Sequence, residues 1–164
     1  MIWQTDLDGV PVSQGDIFSN CPLLMREDEE FADNRRLAER PMRVIALTQA
    51  CDIAQGKTSR VVVAVVHEAQ QLVDAGILKT AMIRDQIRTH RVYGWYFLPV
   101  GSGLPESLVD LHHLHTVPRR LLDELIANGQ RVARLLTPYR EHVAQHFATT
   151  YARIALPEPY ETQP

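Results

Sequence analysis

The sequence predicts one mainly β domain of the α+β class, a small bent sheet or small barrel with helices attached and a long C-terminal helix closing one side. Two short apolar runs, MRVIALTQ and RVVVAVVH, flank a polar turn. Two further runs, VYGWYFLPV and SLVDLHHLHTV, follow later. Runs of this length that are rich in Val, Ile and aromatic residues are typical of strands, so these four segments predict the sheet.

The elements are predicted in the following order. After turn signals at Asp8-Gly9, a first strand lies near 15–19, and the four main strands lie near 42–49, 60–67, 92–99 and 107–114. Uneven apolar spacing over 68–91 indicates two short helices or an irregular arm. Pro118 opens a helix that ends at Asn128-Gly129, and 131–136 forms a last short strand or arm. Thr137 caps the final helix, whose apolar stripe is Tyr139, Val143, Phe147, Tyr151 and Ile154.

The chain is predicted to be one globular domain over residues 1–156. Its 164 residues are enough to bury one core without disulfide or metal cross-links. Residues 26–40, REDEEFADNRRLAER, are dense in charge and predict an exposed insertion. The Pro-rich end predicts a flexible tail over 157–164.

Composition excludes several classes of protein. Seventeen Lys and Arg against twenty Asp and Glu give a net charge of -3, so no global field attracts nucleic acid or anionic lipid, although a local basic patch stays open. Apolar runs fall short of a membrane span and the N-terminus lacks signal-peptide features, which predicts a cytoplasmic protein. Cys21 and Cys51 have no CxxC spacing and are expected to be reduced. Gly-rich phosphate loops, HExxH and GxSxG are absent from the sequence.

The first half, residues 14–67, resembles the PemK/MazF toxin-like barrels. The similarity is carried by the order QGDIF, a charged insertion, RPMRVIALTQ, a turn and RVVVAVVH, with Gly15-Asp16-Ile17, Arg40-Pro41 and Thr48 at the matching positions. This resemblance implies an SH3-like barrel and a metal-independent endoribonuclease activity. The HHLH strand and the PYREH helix of the second half have no counterpart in that pattern.

Most of the chain is similar to small uncharacterised bacterial proteins. These share a QGDIF start, a TQxCD turn, a YFLP-like strand and a final helix introduced by PYREH. The resemblance places Gln49, Cys51, Asp52, Arg140 and His142 on motif positions. It implies a fold and candidate residues but no reaction.

Cys51 and Asp52 follow a core strand, where functional side chains are often placed. A Cys nucleophile there would need a His or Arg from elsewhere, and His142 or His67 could supply one. Alternatively Cys51 is a small buried residue and Asp52 caps the turn. Arg140 lies in the first helical turn, where cations are mildly disfavoured, so a partner such as Asp52 would explain its position.

A second candidate site is a phosphate-binding groove. If Arg40 and Arg43 converged with Thr48 and Gln49, they would bind RNA phosphate as ribonuclease toxins do. The alternative is a solvated surface balanced by the acidic residues of 27–30.

The histidines are the third candidate. On a strand, His113 and His115 share one face, and a metal would need further ligands from another segment. His142 and His146 share one face of the final helix. No ligand spacing recurs, so we predict no metal and no cofactor.

These residues favour a non-catalytic binding or regulatory module. The resemblance implies a bacterial toxin–antitoxin or defence locus, and we expect a protein or RNA partner and a homodimeric state. The alternative is an endoribonuclease of the PemK/MazF type or, less favoured, a Cys51-dependent hydrolase. No complete set of acid, base and nucleophile can be assembled from the sequence.

Overall fold

Seven strands form one antiparallel sheet in the computed structural model, which describes residues 2–27 and 36–152. The strands are β1 Trp3–Gln4, β2 Asp16–Glu27, β3 Arg36–Ala46, β4 Arg60–Glu68, β5 Trp95–Leu98, β6 Ser107–Pro118 and β7 Arg131–Leu135. Their order across the sheet is β1-β7-β2-β3-β4-β6-β5. Strands β4 and β6 are therefore neighbours although β5 separates them in the sequence.

The described residues also form five helices, four of them between strands and one after β7. They are α1 Ala50–Ala54, α2 Ala69–Asp74, α3 Thr80–Met82, α4 Arg119–Ala127 and α5 Tyr139–Tyr151. Helix α3 runs directly into a π-helical turn, Ile83–Ile87. We call residues 69–87 the arm. Within the described ranges, none of these helices combines the length and the apolar character that crossing a membrane requires.

The mainly β, α+β class is confirmed, but the barrel alternative, and with it the SH3-like barrel that the PemK/MazF resemblance implies, is wrong. In the described part of the chain, β1 and β5 are the two edges of the sheet and do not pair with each other. Helices cover both faces, so the sheet buries its apolar surface without closing into a barrel.

Alternation along β4 shows how both faces are buried. Val61, Val63 and Val65 point to one face, which packs on Ile53 of α1 and Leu122 of α4; we call it the α4 face. Val62, Ala64 and Val66, which alternate with these residues, point to the other face. That face packs on Val143 of α5, and we call it the α5 face. Strands buried on both faces read as continuous apolar runs. This explains why RVVVAVVH lacks polar alternation.

The hairpin of β2 and β3 is longer than predicted. Strand β2 runs well past residue 19, and the pairs Leu24↔Glu39 and Met25↔Ala38 extend the ladder into the segment predicted as an insertion. Of that segment, residues 28–35 lie outside the described residues, as does the predicted tail. The hairpin was missed because its outer part is rich in charged residues and its Leu24 and Leu37 are exposed.

Candidate functional site

The QGDIF motif holds a buried ion cluster. Asp16 is fully buried and accepts hydrogen bonds from Arg134, including Nη2 to Oδ2 at 3.0 Å, and from Arg131 Nη1 at 3.3 Å. The two guanidiniums also donate to the backbone carbonyls of Leu7 and Pro11. Asp16 therefore fixes the N-terminal segment against β7, and its position in the motif is explained by folding.

The first two residues of the motif contact both other motif segments. Gln14 donates from Nε2 to the carbonyl of Leu47 at 2.9 Å, directly before Thr48. Gly15 has φ of +82°, and a Cβ there would lie 3.1 Å from Cγ of Arg140. A side chain at position 15 would be strained by its backbone and crowded by the first turn of α5.

The side chain of Thr48 attaches the start of the TQACD turn to the sheet. The backbone N–H of Val62 donates to Oγ1 of Thr48 at 2.8 Å, so the Thr48 hydroxyl extends the sheet pairing past β3. Cys51 is exposed on α1, and its Sγ lies 3.8 Å from Oε1 of Gln49 and 3.8 Å from Oδ1 of Asp52. Among the residues described, neither His nor Arg contacts Cys51.

The two cysteines are expected to differ in reactivity. Burial raises the pKa of Cys21 to about 11, so this thiol stays protonated and shielded at neutral pH. We expect a disulfide reagent to modify one thiol in the native protein and both after denaturation. Cys51→Ser should abolish the native reaction and Cys21→Ser should preserve it; the reverse pattern would contradict the placement of Cys51.

Arg140 and Asp52 have different partners from those expected. Arg140 donates from Nη2 to Oε1 of Glu141 at 2.7 Å, whereas the carboxylate of Asp52 lies 3.8 Å from Nζ of Lys57. Pro138, not Thr137, is the N-cap of α5. Within 2–27 and 36–152, the structure forms no ion pair between α5 and the turn.

Arg40, Arg43, Thr48 and Gln49 do not converge on one point. Arg43 pairs with Glu68, at 3.4 Å between Nη1 and Oε1, and Arg40 is exposed further back along β3. Extended chain rises about 3.3 Å per residue, which puts Arg43 roughly 16 Å from Thr48. A groove that uses both arginines and both turn residues would have to run along much of β3.

His142 belongs to a cluster of histidine and tyrosine side chains on the α5 face. Its Nδ1 lies 3.1 Å from the hydroxyl of Tyr96, and its ring meets the His90 ring edge-on at 4.5 Å. His146 is buried, and its Nε2 lies 3.1 Å from the carbonyl of Trp95, so this nitrogen carries the donated proton. His90 has a left-handed backbone, φ of 58°, and its buried Nδ1 has no hydrogen-bond partner among the described residues.

Burial governs protonation in this cluster. Desolvation lowers the pKa of His90, and the nearby His142 and His146 lower it further. Desolvation also lowers the pKa of His146, against the raising effect of its hydrogen bonds to backbone carbonyls. Burial raises the pKa of Tyr96 to about 12. At neutral pH the rings of His90 and His146 are therefore neutral.

Stability is expected to fall as the pH drops from 7.5 to 5.5. The pKa values of His90 and His146 are lower in the folded chain than the value of 6.5 for an unperturbed histidine, so below pH 6.5 the unfolded chain binds more protons. The stabilisation that the neutral rings of these two histidines contribute is fully present above pH 6.5, and it is lost as the pH falls through their folded pKa values.

Urea unfolding of His90→Asn should show a shallower pH slope, because Asn tolerates left-handed backbone but does not titrate. His112→Gln, at an exposed site, is the matched control, and an unchanged slope in His90→Asn would contradict this origin.

A second polar group lies on the α4 face. His67 of β4 and Asp110, His113 and His115 of β6 form a stripe between the apolar cluster under α4 and the one under the arm. Nε2 of His67 lies 3.9 Å from Oδ2 of Asp110. Desolvation lowers the pKa of His67, against the raising effect of Asp110. Strand alternation predicted the shared face of His113 and His115, but the approach of His67 could not be predicted, because β4 and β6 become neighbours only in the folded sheet.

A cleft of about 360 Å³ opens between the arm and the end of the sheet. Its inner surface is apolar, with Val73, Ile83 and Phe97, and its rim is polar. The lining is completed by Glu68, Ala69, Gln70, Thr80, Arg84, Arg88, Pro105 and Glu106. None of the residues predicted for binding, Thr48, Gln49, Arg40 or Arg43, lines it.

The charged side chains on the rim of the cleft differ in the hydrogen bonds and ion pairs that they form. Glu68 pairs with Arg43, and Arg84 donates two hydrogen bonds to Asp85. The guanidinium of Arg88 donates no hydrogen bond to any side chain or backbone group in the described ranges. The uneven apolar spacing of residues 68–91 was the one feature of the sequence that pointed to this region. The segment contains a π-helical turn, and such turns occur often at functional sites.

No protein-family model matches the chain, and no curated protein matches it.

Proposed function

We propose that the chain is a non-catalytic binding module whose ligand is a small amphipathic carboxylate held in the cleft beneath the arm. The observation that carries this proposal is the combination of an apolar inner surface and, on one rim, the guanidinium of Arg88. The hydrogen bond from Arg84 lowers the pKa of the Asp85 carboxyl most and the charge of Arg88 lowers it further, but Arg88 donates no hydrogen bond within the described ranges. Small-molecule sites are concave, mostly apolar and supplied with a few polar groups, and a volume of about 360 Å³ falls within their usual range.

Each part of the cleft has a role in this proposal. The apolar body of the ligand contacts Ile83 and Phe97, which removes its surface from water. Its carboxylate accepts hydrogen bonds from Arg88, whose planar fork matches two carboxylate oxygens. Arg84 is a weaker candidate for this role because Asp85 already occupies its donors.

A binding role fits the cleft better than catalysis does. Neither Cys nor His belongs to the lining, so no thiol nucleophile and no imidazole base faces the ligand. The Cys51 hydrolase alternative has no imidazole hydrogen-bonded to the thiol among the described residues, and the ribonuclease alternative has its arginines spread along β3. A toxin–antitoxin or defence context is proposed on the sequence resemblance alone, and a cytoplasmic location is proposed on the shortness of the apolar runs in the sequence.

Titration with phenylacetate and octanoate tests this proposal. We expect saturable binding by wild type and about tenfold weaker binding by Arg88→Gln, because a hydrogen bond to a charged group contributes about 1.5 kcal/mol or more. The neutral phenylacetamide should also bind about tenfold more weakly than phenylacetate to wild type.

Arg91→Gln is the matched control, since Arg91 is exposed and close in the chain but does not line the cleft. It should bind both acids as wild type does. Equal losses in the two arginine variants, or an acid and an amide of equal affinity, would contradict a carboxylate-binding cleft.

A further inference from the structure

The structure assigns a second site to this chain: we propose that His67, Asp110 and His113 bind a divalent transition-metal ion, with zinc(II) the first candidate. One ligand atom from each residue lies within 4.8 Å of the other two. The site goes beyond the proposed carboxylate cleft and departs from the sequence-based prediction of no metal.

The spacing suits a metal better than it suits direct hydrogen bonding. Nε2 of His67 and Oδ2 of Asp110 are 3.9 Å apart, too far for a hydrogen bond between them. Ligands of a tetrahedral zinc at 2.0–2.2 Å lie roughly 3.3–3.5 Å from each other. A movement of about an ångström by flexible side chains would bring these atoms to that separation.

A bulge in β6 creates the arrangement. Val65 of β4 pairs with Asp110 and the adjacent Ala64 pairs with Leu114, so three residues of β6, 111–113, face a single step of β4. Bulges redirect side chains and often lie at functional sites. This one places the ring of His113 at 6.4 Å, between centroids, from the ring of His67, on the same face as Asp110.

The carboxylate is already oriented by its surroundings. The backbone N–H of His112 donates to Oδ1 of Asp110 at 3.0 Å, which leaves Oδ2 directed at His67. Hydrogen bonds of this kind fix ligating carboxylates in metal sites. The side chains of His67 and Asp110 are 25% and 18% exposed, so the site is shielded but can be reached from solvent.

A fourth imidazole lies beside one of the three ligands, His113. The ring of His115 lies 5.1 Å from that of His113, and its buried Nε2 has no hydrogen-bond partner in the described part of the chain. Burying an imidazole nitrogen without a partner is costly. Metal held by three protein ligands keeps a fourth position, which water or the nitrogen of His115 would fill.

Equilibrium dialysis against zinc(II), followed by elemental analysis, tests the site on the full chain. We expect one zinc per chain in wild type and a visible spectrum typical of tetrahedral coordination when cobalt(II) replaces zinc. Asp110→Asn, His67→Gln and His113→Gln should each lower zinc affinity by about 100-fold or more, since even outer-shell partners contribute 10- to 100-fold.

His112→Gln is the matched control, because its side chain packs against Gly94 rather than on the stripe. It should bind zinc as wild type does. Sub-stoichiometric zinc in wild type, or equal losses in His112→Gln and His113→Gln, would overturn the site.

If a substitution at His67, Asp110 or His113 prevents folding, thermal unfolding of wild type with zinc still tests the site. Zinc should then raise the melting temperature of wild type in a concentration-dependent way, because a ligand of the native state stabilises it. An unchanged melting temperature would overturn the proposal. Neither result depends on carboxylate binding in the cleft.

Discussion

Asp16→Asn is expected to destabilise the folded chain by about 3–5 kcal/mol. The substitution leaves the guanidiniums of Arg134 and Arg131 buried, with 11% and 6% of their side chains exposed, beside a neutral amide. A buried charge without its counter-ion costs several kcal/mol, whereas a whole domain has only about 5–15 kcal/mol of stability. Urea unfolding at pH 7 measures the change, provided that the variant folds well enough to give a native baseline.

Asp8→Asn is the matched control, because Asp8 is exposed in the same N-terminal segment. It should unfold within about 0.5 kcal/mol of wild type. An Asp16→Asn variant as stable as this control would show that the ion cluster does not hold the N-terminal segment.

Ile53→Ala is expected to destabilise the chain by about 2–5 kcal/mol. Ile53 is fully buried and packs in the cluster beneath α4, and its carbonyl accepts a hydrogen bond from Arg119 at 2.7 Å. Truncation removes three carbons from this core and leaves a cavity that α1 can close only by shifting. Thermal and urea unfolding of the purified variant would both report the loss.

Cys51→Ala and Asp52→Ala are the matched comparisons on the same helix. Both should change stability by about 0.5 kcal/mol or less, because Cys51 is exposed and the pair of Asp52 with Lys57 is a surface pair. Larger losses from these two variants than from Ile53→Ala would contradict the view that α1 is anchored by its apolar residue.

Local patterns were sufficient for the main strands. The runs around Val44 and Val63 predicted strands because β-branched residues in short apolar segments favour extended chain, and β3 and β4 contain them. The same patterns could not distinguish a barrel from an open sheet. That choice depends on α1, α4 and α5 covering both faces, which is a property of the whole fold.

The apolar stripe predicted for the last helix was partly wrong. Val143 and Phe147 pack against the α5 face as expected, but Tyr139 and Tyr151 are 39% and 50% exposed. His146 is buried instead, since its Nε2–H reaches backbone carbonyls near β5. A hydrogen bond to a distant carbonyl can bury a polar residue, and periodicity alone does not reveal it.

The candidate sites depend on contacts between distant segments. The metal-ligand candidates His67 and Asp110 come from strands that are paired in the sheet but separated in the sequence by the arm and β5. The cleft exists only because the arm folds back over Phe97. By contrast, Gln49, Cys51 and Asp52, which stood out in the sequence, have side-chain partners close to them in the chain, and only Thr48 bonds to another strand.

Chemical-shift mapping with saturating phenylacetate tests most directly whether ligand binding belongs to the cleft. We expect the largest ¹H–¹⁵N changes at Ala69, Gln70, Thr80 and Arg84, which line it. Changes centred on Gln49 to Asp52 and on Arg140 to His142, or no changes at all, would contradict the proposal that this chain binds its ligand beneath the arm.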